Sequence, residues 1–147
     1  MINTGLFTSN TNEWETPQKL YDELNKEFNF NLDVCATDEN TKCDTWFTKK
    51  DDGLSKKWIG NVWCNPPYSK DEMKYWVKRA HEEVRNGNAN VVVMLIPSRT
   101  DTRYFHNYIY NKYEIRFIKG RIKFLLDGEV KQAAPFPSMI VVMKLGG

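Results

Sequence analysis

The stretch NVWCNPPYSKDE, residues 61–72, decides how the chain is organised. Residues 61–64 predict a short β-strand, which the two prolines end because neither has an N–H to donate to a sheet. Ser69 and Glu72 then form an S-x-x-E pattern, which predicts a capping box at the start of a helix. Strand, rigid turn and helix in this order are typical of an α/β fold, whose ligands bind beyond the carboxyl ends of the strands.

The chain after this stretch repeats the strand–helix alternation. Apolar residues recur at helical spacing after Ser69, and Asn86-Gly87 is expected to end that helix. This apolar stripe consists of Met73, Trp76, Val77, Ala80 and Val84. Residues 91–96 are apolar without alternation, which predicts a parallel strand covered on both faces.

The two ends of the chain complete the prediction. Thr16 is expected to cap a helix over residues 17–28 whose first residue is Pro17. Residues 30–35 are expected to form a short strand. Residues 36–60 are polar and irregular. Later elements are a helix over 101–111, strands over 114–118, 121–125 and 139–143, and a hairpin turn at Asp127-Gly128. The fold class is therefore α/β, with a mixed sheet whose C-terminal strands are antiparallel.

Length and composition predict one domain over residues 1–147, in which residues 1–13 are polar and loose. The chain is 41% hydrophobic and 27% charged, which is ordinary for a globular protein. It has neither an apolar run of about 20 residues nor a signal-peptide pattern. Three cysteines make a disulfide framework improbable, so we expect a cytoplasmic protein, with Cys64 as a buried thiol. His81 and His106 have no third ligand at metal spacing and are expected at the surface, so no metal site is predicted.

Charge is distributed unevenly along the chain. Residues 1–75 hold nine lysines against thirteen acidic residues, whereas residues 76–147 hold twelve basic residues against six acidic ones. A basic half attracts an anionic polymer, although a solvated basic face has the same composition. The candidates for phosphate contacts are Arg99, Arg103, Lys119, Arg121 and Lys123.

The NPPY box, residues 65–68, carries the most specific chemistry. The Asn65 amide oxygen and the Pro66 carbonyl are two acceptors held together by the rigid Pro66-Pro67 backbone, and they suit an exocyclic amino group with two hydrogens. Tyr68 offers a flat ring on which a planar base can stack. The sequence therefore predicts Asn65, Pro66, Pro67 and Tyr68 as the catalytic residues.

Together with other motifs, this box resembles the bacteriophage-type DNA N6-adenine methyltransferases, the Dam-like family. The resemblance covers residues 13–143 and rests on five segments in the family's order: WETP (14–17), LDVCAT (32–37), DDGL (51–54), WCNPPYS (63–69) and GRIKF (120–124). It implies a Rossmann-like methyltransferase that uses S-adenosylmethionine and acts on double-stranded DNA inside a bacterial host, where methylation evades restriction.

The resemblance also implies roles for residues of this chain. Thr16 and Pro17 would border the cofactor, Asp33 would bind its ammonium, and Asp52 would accept from the amine of its adenine. Asn65 would also contact the cofactor, and together with Pro66 and Tyr68 it would hold the target adenine. In the family's wider relatives a glycine-rich turn follows the first strand. Here ATDEN (36–40) replaces it, which leaves Asp38 as the candidate for the ribose.

Three functions stay open. An enzyme of the same fold could act on RNA or on a protein glutamine, because a glutamine amide also presents two N–H groups. A catalytically silent DNA-binding module is the third, because the cofactor segment between Asp33 and Asp52 is short. We expect no separate target-recognition domain in 147 residues.

Overall fold

The structure is a computed structural model that describes residues 14–126, 128–130 and 133–146. Its helices are α1 (Gln18–Phe28) and α2 (Met73–Arg85). Its strands are β1 (Leu32–Asp33), β2 (Thr45–Trp46), β3 (Gly60–Cys64), β4 (Ala89–Pro97), β5 (Glu114–Phe117), β6 (Leu125–Leu126), β7 (Glu129–Val130) and β8 (Ser138–Met143). A 3₁₀ turn spans Gly53–Ser55 and a π-helical turn spans Phe105–Ile109.

Six strands form one mixed sheet in the order β2-β1-β3-β4-β8-β5. The pairs β2–β1, β1–β3 and β3–β4 are parallel, whereas β8 is antiparallel to both β4 and β5. β6 and β7 form a separate antiparallel hairpin. The prediction of an α/β fold with a mixed sheet and antiparallel C-terminal strands is confirmed.

The core is centred on β4 and β8. Every residue of β8 is buried, and Asn90 is the one exposed residue of β4. Because successive side chains of a strand point to opposite faces, burial along the whole strand means that both faces of the sheet are covered. α2 packs against β4 and β8 through the predicted stripe, whose five residues are all buried.

Helix starts were predicted less well than helix faces. α1 begins at Gln18 with Pro17 as its N-cap, so Thr16 is not the capping residue. The predicted capping box is wrong: α2 begins at Met73, and its N-cap, Glu72, makes no side-chain cap bond. Ser69 instead accepts the Asp71 N–H in a turn before the helix (3.2 Å). This turn follows the two prolines, so the helix begins only after it, at Met73.

Three further elements differ in extent. The strand predicted over residues 30–35 is reduced to Leu32–Asp33, and the helix over 101–111 to a π-helical turn. Of residues 121–125, Leu125 alone belongs to a strand, although Ile122 and Phe124 are buried and Arg121 and Lys123 exposed, as their alternation predicts. The predicted hairpin exists as β6–β7, and Gly128 has φ +80°, while Asp127 and residues 1–13 lie outside the described residues.

Candidate active site

The carboxyl ends of four strands meet at one edge of the sheet. β1, β3 and β4 are parallel, and β5 runs in the same direction because both it and β4 are antiparallel to β8. Asp33 ends β1, Asn65 follows β3, and the predicted basic residues follow β4 and β5. The topology therefore brings the predicted residues to the edge at which α/β sheets bind ligands.

A cavity opens at this edge beside the ends of β1 and β3. The empty space inside it, including the open solvent at its mouth, is about 950 Å³. Six predicted residues line it: Thr16, Asp33, Asp52, Asn65, Pro66 and Pro67. Pro17, Asp38 and Tyr68 do not line this cavity.

Asp33 places a buried carboxylate in the wall of the cavity. It is 3% exposed, and its oxygens accept the backbone N–H groups of Cys35 (3.3 Å) and Lys42 (3.0 Å). Burial raises its pKa to about 6, against the lowering effect of these two hydrogen bonds and of the Lys42 charge. Each carboxylate oxygen has lone pairs left, so the group can accept further donors from a ligand.

A tight turn replaces the glycine-rich turn after β1. The Thr37 N–H donates to Asn40 Oδ1 (2.7 Å), and the Asn40 N–H donates to Thr37 Oγ1 (3.1 Å). Both residues line the cavity. Asp38 is exposed and accepts from the Trp46 indole N–H (3.0 Å), so its carboxylate is directed to β2. This geometry does not bring Asp38, the ribose candidate, into the cavity.

Lys42 is a cavity residue that the sequence analysis missed. It is half-buried, burial lowers the pKa of its ammonium, and its Nζ donates to the uncharged Gln18 Oε1 (2.9 Å). Within the described ranges, no carboxylate lies within 4.0 Å of this nitrogen. No motif marks Lys42, because the contact depends on the loop between β1 and β2.

The turn at residues 51–53 separates two adjacent aspartates. Asp51 Oδ2 accepts the N–H (2.8 Å) and hydroxyl (3.0 Å) of Thr48, so its carboxylate is used inside the turn. Asp52 lies in the left-handed region (φ 58°) and lines the cavity. Gly53 packs so closely against β1 that an added Cβ would lie 2.4 Å from the Val34 carbonyl oxygen. The missing side chain is what brings Asp52 to the cavity.

The Asn65 side chain is hydrogen-bonded at both ends. Its Nδ2 donates to the Trp14 carbonyl oxygen and to Thr16 Oγ1 (3.0 Å). Its Oδ1 lies 2.6 Å from the Tyr68 hydroxyl. An amide oxygen has two lone pairs, so Oδ1 can accept one more hydrogen bond from the cavity.

Tyr68 differs from the expectation of an open stacking surface. It is 4% exposed, and its ring makes edge contacts with Phe124 (5.9 Å between centroids) and Phe136 (5.5 Å). Its hydroxyl is 2.9 Å from the Leu95 carbonyl oxygen. In this conformation the ring belongs to the core and the hydroxyl faces Asn65. Local sequence identifies the aromatic ring but not the segment that covers it.

Trp76 is a second residue whose relation to the cavity was missed. The helical spacing correctly predicted that it is buried, and it also lines the cavity. Its indole N–H is buried without a hydrogen-bond partner among the described residues. An unpaired buried donor is costly, which sets this N–H apart from the other polar groups around the cavity.

The five predicted basic residues lie in the segments that follow β4 and β5. Arg103, Lys119, Arg121 and Lys123 are exposed, and Arg99 is half-buried. In the described part of the chain none of the five has a carboxylate within 4.0 Å. Arg116, by contrast, is paired with Glu27 and Glu114. The five charges are thus available to an external anion.

The predictions that Cys64 is a buried thiol and that His81 lies at the surface have different outcomes. Cys64 is fully buried, as expected, and burial raises the pKa of its thiol. His81 is not a simple surface residue, because it is half-buried and its Nδ1 lies 2.7 Å from the Tyr113 hydroxyl. Within residues 14–126, 128–130 and 133–146, no group of three or more His, Cys, Asp or Glu side chains could hold a metal. No helix in these ranges is long and apolar enough to cross a membrane.

Comparison with known proteins confirms the family resemblance. Residues 3–145 match the family model described as DNA N-6-adenine-methyltransferase (Dam). The chain is 31% identical over 137 residues to a DNA N-6-adenine-methyltransferase of Haemophilus phage HP1, covering 89% of this chain and 78% of that protein.

A second relative is longer. The chain is 30% identical over 118 residues to a DNA N-6-adenine-methyltransferase of Escherichia phage T1, covering 78% of this chain. The match spans 48% of the T1 protein, so this chain corresponds to about half of that relative's length.

Proposed function

This chain belongs to the DNA N-6-adenine-methyltransferase (Dam) family, and from that premise we propose that it methylates the N6 amino group of adenine in double-stranded DNA, with S-adenosylmethionine as donor. The observation that carries the proposal is one cavity lined by the NPPY residues and by the two predicted cofactor carboxylates, Asp33 and Asp52. The mixed sheet with its antiparallel last strands supports a Rossmann-like methyltransferase fold.

The residues of the cavity fit the cofactor chemically. One end of S-adenosylmethionine is an amino acid, with an ammonium and a carboxylate. Asp33 supplies a buried carboxylate for the ammonium, and Lys42 supplies a half-buried ammonium for the carboxylate. A ligand with both charges therefore matches the two side chains. The backbone N–H of Lys42 also donates to the Asp33 carboxylate, which keeps the two residues together at the cavity.

The other end of the cavity suits an adenine ring. Asp52 lines it with a carboxylate that can accept from an exocyclic amine, and the buried Trp76 N–H can donate to a ring nitrogen. Thr16 borders the same cavity, and Pro17 follows it at the start of α1. We propose that these residues contact the adenosine moiety.

The chemistry of the target explains why an asparagine and a proline carbonyl are needed. The adenine N6 lone pair is delocalised into the ring, so the amine is a weak nucleophile. Asn65 Oδ1 and the Pro66 carbonyl each accept one N–H, which lets the nitrogen become pyramidal and direct its lone pair at the methyl group. S-adenosylmethionine would supply that methyl group from a sulfonium, whose carbon–sulfur bond breaks as the nitrogen–carbon bond forms and leaves S-adenosylhomocysteine.

The protein's part is to position the amine and stabilise the charge that it gains. Positive charge grows on N6 as the new bond forms, and the acceptor dipoles of Asn65 and Pro66 stabilise it. Pro67 rigidifies the backbone that carries both acceptors. The nitrogen then loses one proton to water. The target base must leave the duplex, at a cost of a few kcal/mol.

Basic side chains at the same edge of the sheet are suited to bind the phosphate backbone. Arg99, Arg103, Lys119, Arg121 and Lys123 have no carboxylate partner in the described residues, and their segments follow the strand ends that lie beside the NPPY box. Both relatives come from phages, which supports action on DNA in the cytoplasm of a bacterial host.

The test is transfer of a labelled methyl group to unmethylated DNA, with mass spectrometry of the nucleosides. N6-methyladenine from the wild type, with none from Asn65→Ala, is the expected result, and S-adenosylhomocysteine affinity within twofold of the wild type shows that the variant is folded. Transfer to RNA or to a glutamine peptide instead of DNA would overturn the choice of substrate. No affinity for S-adenosylhomocysteine would favour a silent DNA-binding module.

A further inference from the structure

The Asn65 side-chain amide makes hydrogen bonds to three groups. Two belong to the distant segment before α1, and the third belongs to the buried Tyr68. Trp14 and Thr16 accept both hydrogens of Nδ2, and the Tyr68 hydroxyl donates to Oδ1. Trp14 and Thr16 lie 51 and 49 residues before Asn65 in the chain. This arrangement exceeds what a strand-ending asparagine needs, because a solvent-facing amide is satisfied by water.

We propose that Thr16 and Tyr68 are positioning residues that hold the Asn65 amide with its oxygen, not its nitrogen, directed at the target amine. This inference rests on the proposed function. It assigns Thr16 to the target side of the cavity, in addition to its contact with the cofactor space. It also assigns Tyr68 a role through its hydroxyl.

The flipped amide is excluded by the groups that surround it. A terminal amide has two orientations that differ by exchange of oxygen and nitrogen. Exchange would bring Oδ1 against the Trp14 carbonyl oxygen, and two acceptors repel each other. It would also present N–H groups to an amine whose own N–H groups need acceptors. The backbone carbonyl of Trp14, which can only accept, therefore selects the productive orientation, and the Thr16 hydroxyl holds the amide in place by accepting its second hydrogen.

Tyr68 fixes the other end of the amide. Its hydroxyl has one proton and lies between Asn65 Oδ1 (2.6 Å) and the Leu95 carbonyl oxygen (2.9 Å). The ring is confined by Phe124 and Phe136, so the hydroxyl cannot move far from Asn65. Burial also raises the pKa of this hydroxyl well above its usual value, so it keeps its proton as a donor.

The segment that bears Trp14 and Thr16 is itself fixed. Glu15 and Leu125 exchange two backbone hydrogen bonds, of 3.2 and 3.0 Å. The Trp14 ring contacts Phe124 edge to face, with 5.5 Å between centroids. The groups that hold Asn65 are thus attached to residues 124–125, which directly follow the basic residues Arg121 and Lys123.

The kinetic test compares isosteric variants. Thr16→Val and Tyr68→Phe keep the shape of each side chain and remove one hydroxyl. We expect kcat to fall at least about tenfold in each, because misplacement of a reacting group is costly. The affinity for DNA is expected to stay within twofold in both variants, and Tyr68→Phe is expected to keep its affinity for S-adenosylhomocysteine within twofold as well. Thr16→Ser, which keeps the acceptor, is expected to restore most of kcat.

Tyr113→Phe is the matched control, because it removes a hydroxyl bonded to His81 instead of to Asn65. We expect its kcat to match that of the wild type. An unchanged kcat in Tyr68→Phe would overturn the role of the hydroxyl and favour the ring alone. A Thr16→Val variant that loses affinity for S-adenosylhomocysteine at constant kcat would assign Thr16 to the cofactor alone.

A second measurement does not depend on activity. The side-chain amide signal of Asn65, assigned in ¹⁵N NMR spectra by its loss in Asn65→Ala, reports directly on the two donated hydrogens. We expect slow hydrogen exchange in the wild type and faster exchange in Thr16→Val. Equal exchange in both proteins would overturn the inference. A wild type that protects this amide but transfers no methyl group to DNA would contradict the proposed function and leave the inference intact.

Discussion

Asp33 is a carboxylate that is kept out of water before any ligand arrives. Its pKa is raised to about 6 by burial, so a substantial part of the population is protonated in mildly acidic solution. An ammonium ligand needs the ionised form, because only that form supplies a negative charge. Protonation of Asp33 therefore competes with binding of the amino-acid end of the cofactor.

The pH dependence of binding follows from this competition. The acid form dominates below pH 6, and binding must then displace its proton. We expect the affinity for S-adenosylhomocysteine to fall about tenfold from pH 7 to pH 5. Calorimetric titration at several pH values measures it. Asp33→Asn is expected to bind weakly at every pH, without this dependence. A wild-type affinity that is constant over this interval would contradict the assignment of Asp33.

The proposed contact between Lys42 and the carboxylate of the cofactor can be tested by changing the protein and the ligand in turn. We expect Lys42→Met to weaken binding of S-adenosylhomocysteine about tenfold or more, because a charge-assisted hydrogen bond to the ligand carboxylate is lost. Binding of the decarboxylated analogue is expected to change less than twofold. Lys50→Met, at an exposed position outside the cavity, is the control. An equal loss for both ligands would show that Lys42 does not bind the carboxylate.

The turn containing Asp51, Asp52 and Gly53 acts as an element that places one carboxylate. Its 3₁₀ turn is fixed by the Ser55 N–H and hydroxyl, which both donate to the Asp52 carbonyl (2.9 and 2.8 Å), and by the Trp58 indole, which donates to the Gly53 carbonyl (2.8 Å). A methyl group at Gly53 would push the turn away from β1, since the Val34 backbone cannot yield like a flexible side chain.

Gly53→Ala tests this element. We expect it to lower the free energy of unfolding by about 1–3 kcal/mol, as overpacking does, and to weaken S-adenosylhomocysteine binding through displacement of Asp52. Urea unfolding and calorimetry measure the two effects. Gly87→Ala is the matched control, because it strains a backbone with φ +86° where no atom lies within 4 Å. It is expected to lose stability and keep affinity; normal affinity in Gly53→Ala would refute the role of the turn.

At the scale of the whole molecule, β3, β4 and β5 run in the same direction. The basic segments that follow β4 and β5 therefore lie at the same edge of the sheet as the NPPY box, which follows β3. Arg121→Ala and Lys123→Ala are each expected to weaken DNA binding similarly across sequences and to reduce the slope of log K against log salt by about one. Lys57→Ala removes an equally exposed charge before β3, at the opposite edge, and is expected to leave the slope unchanged. Equal slopes for all four proteins, measured by fluorescence anisotropy, would contradict this DNA-binding edge.

Much of the fold is predictable because its signals are local. The apolar run of β4 and the stripe of α2 are short-range patterns, and burial follows from them directly. The starts of α1 and α2 were predicted wrongly for the same reason. Thr16 has the chemistry of an N-cap, but a distant amide, Asn65, competes for its oxygen. Ser69 is kept from capping by the turn that the prolines impose.

The sequence by itself determined the alternation of strands and helices around the NPPY box, this box itself and the two carboxylates that the family resemblance marks. It did not reveal β2, which lies in the segment that was predicted to be irregular. Tertiary structure decided which groups those residues meet. It buried the Tyr68 ring, directed Asp38 away from the cavity, brought Lys42 to Asp33 and joined Thr16 to Asn65 across 49 residues. The physical reason is range: periodicity and backbone restriction act over a few residues, whereas hydrogen-bond partners and burial depend on which distant segments the sheet brings together.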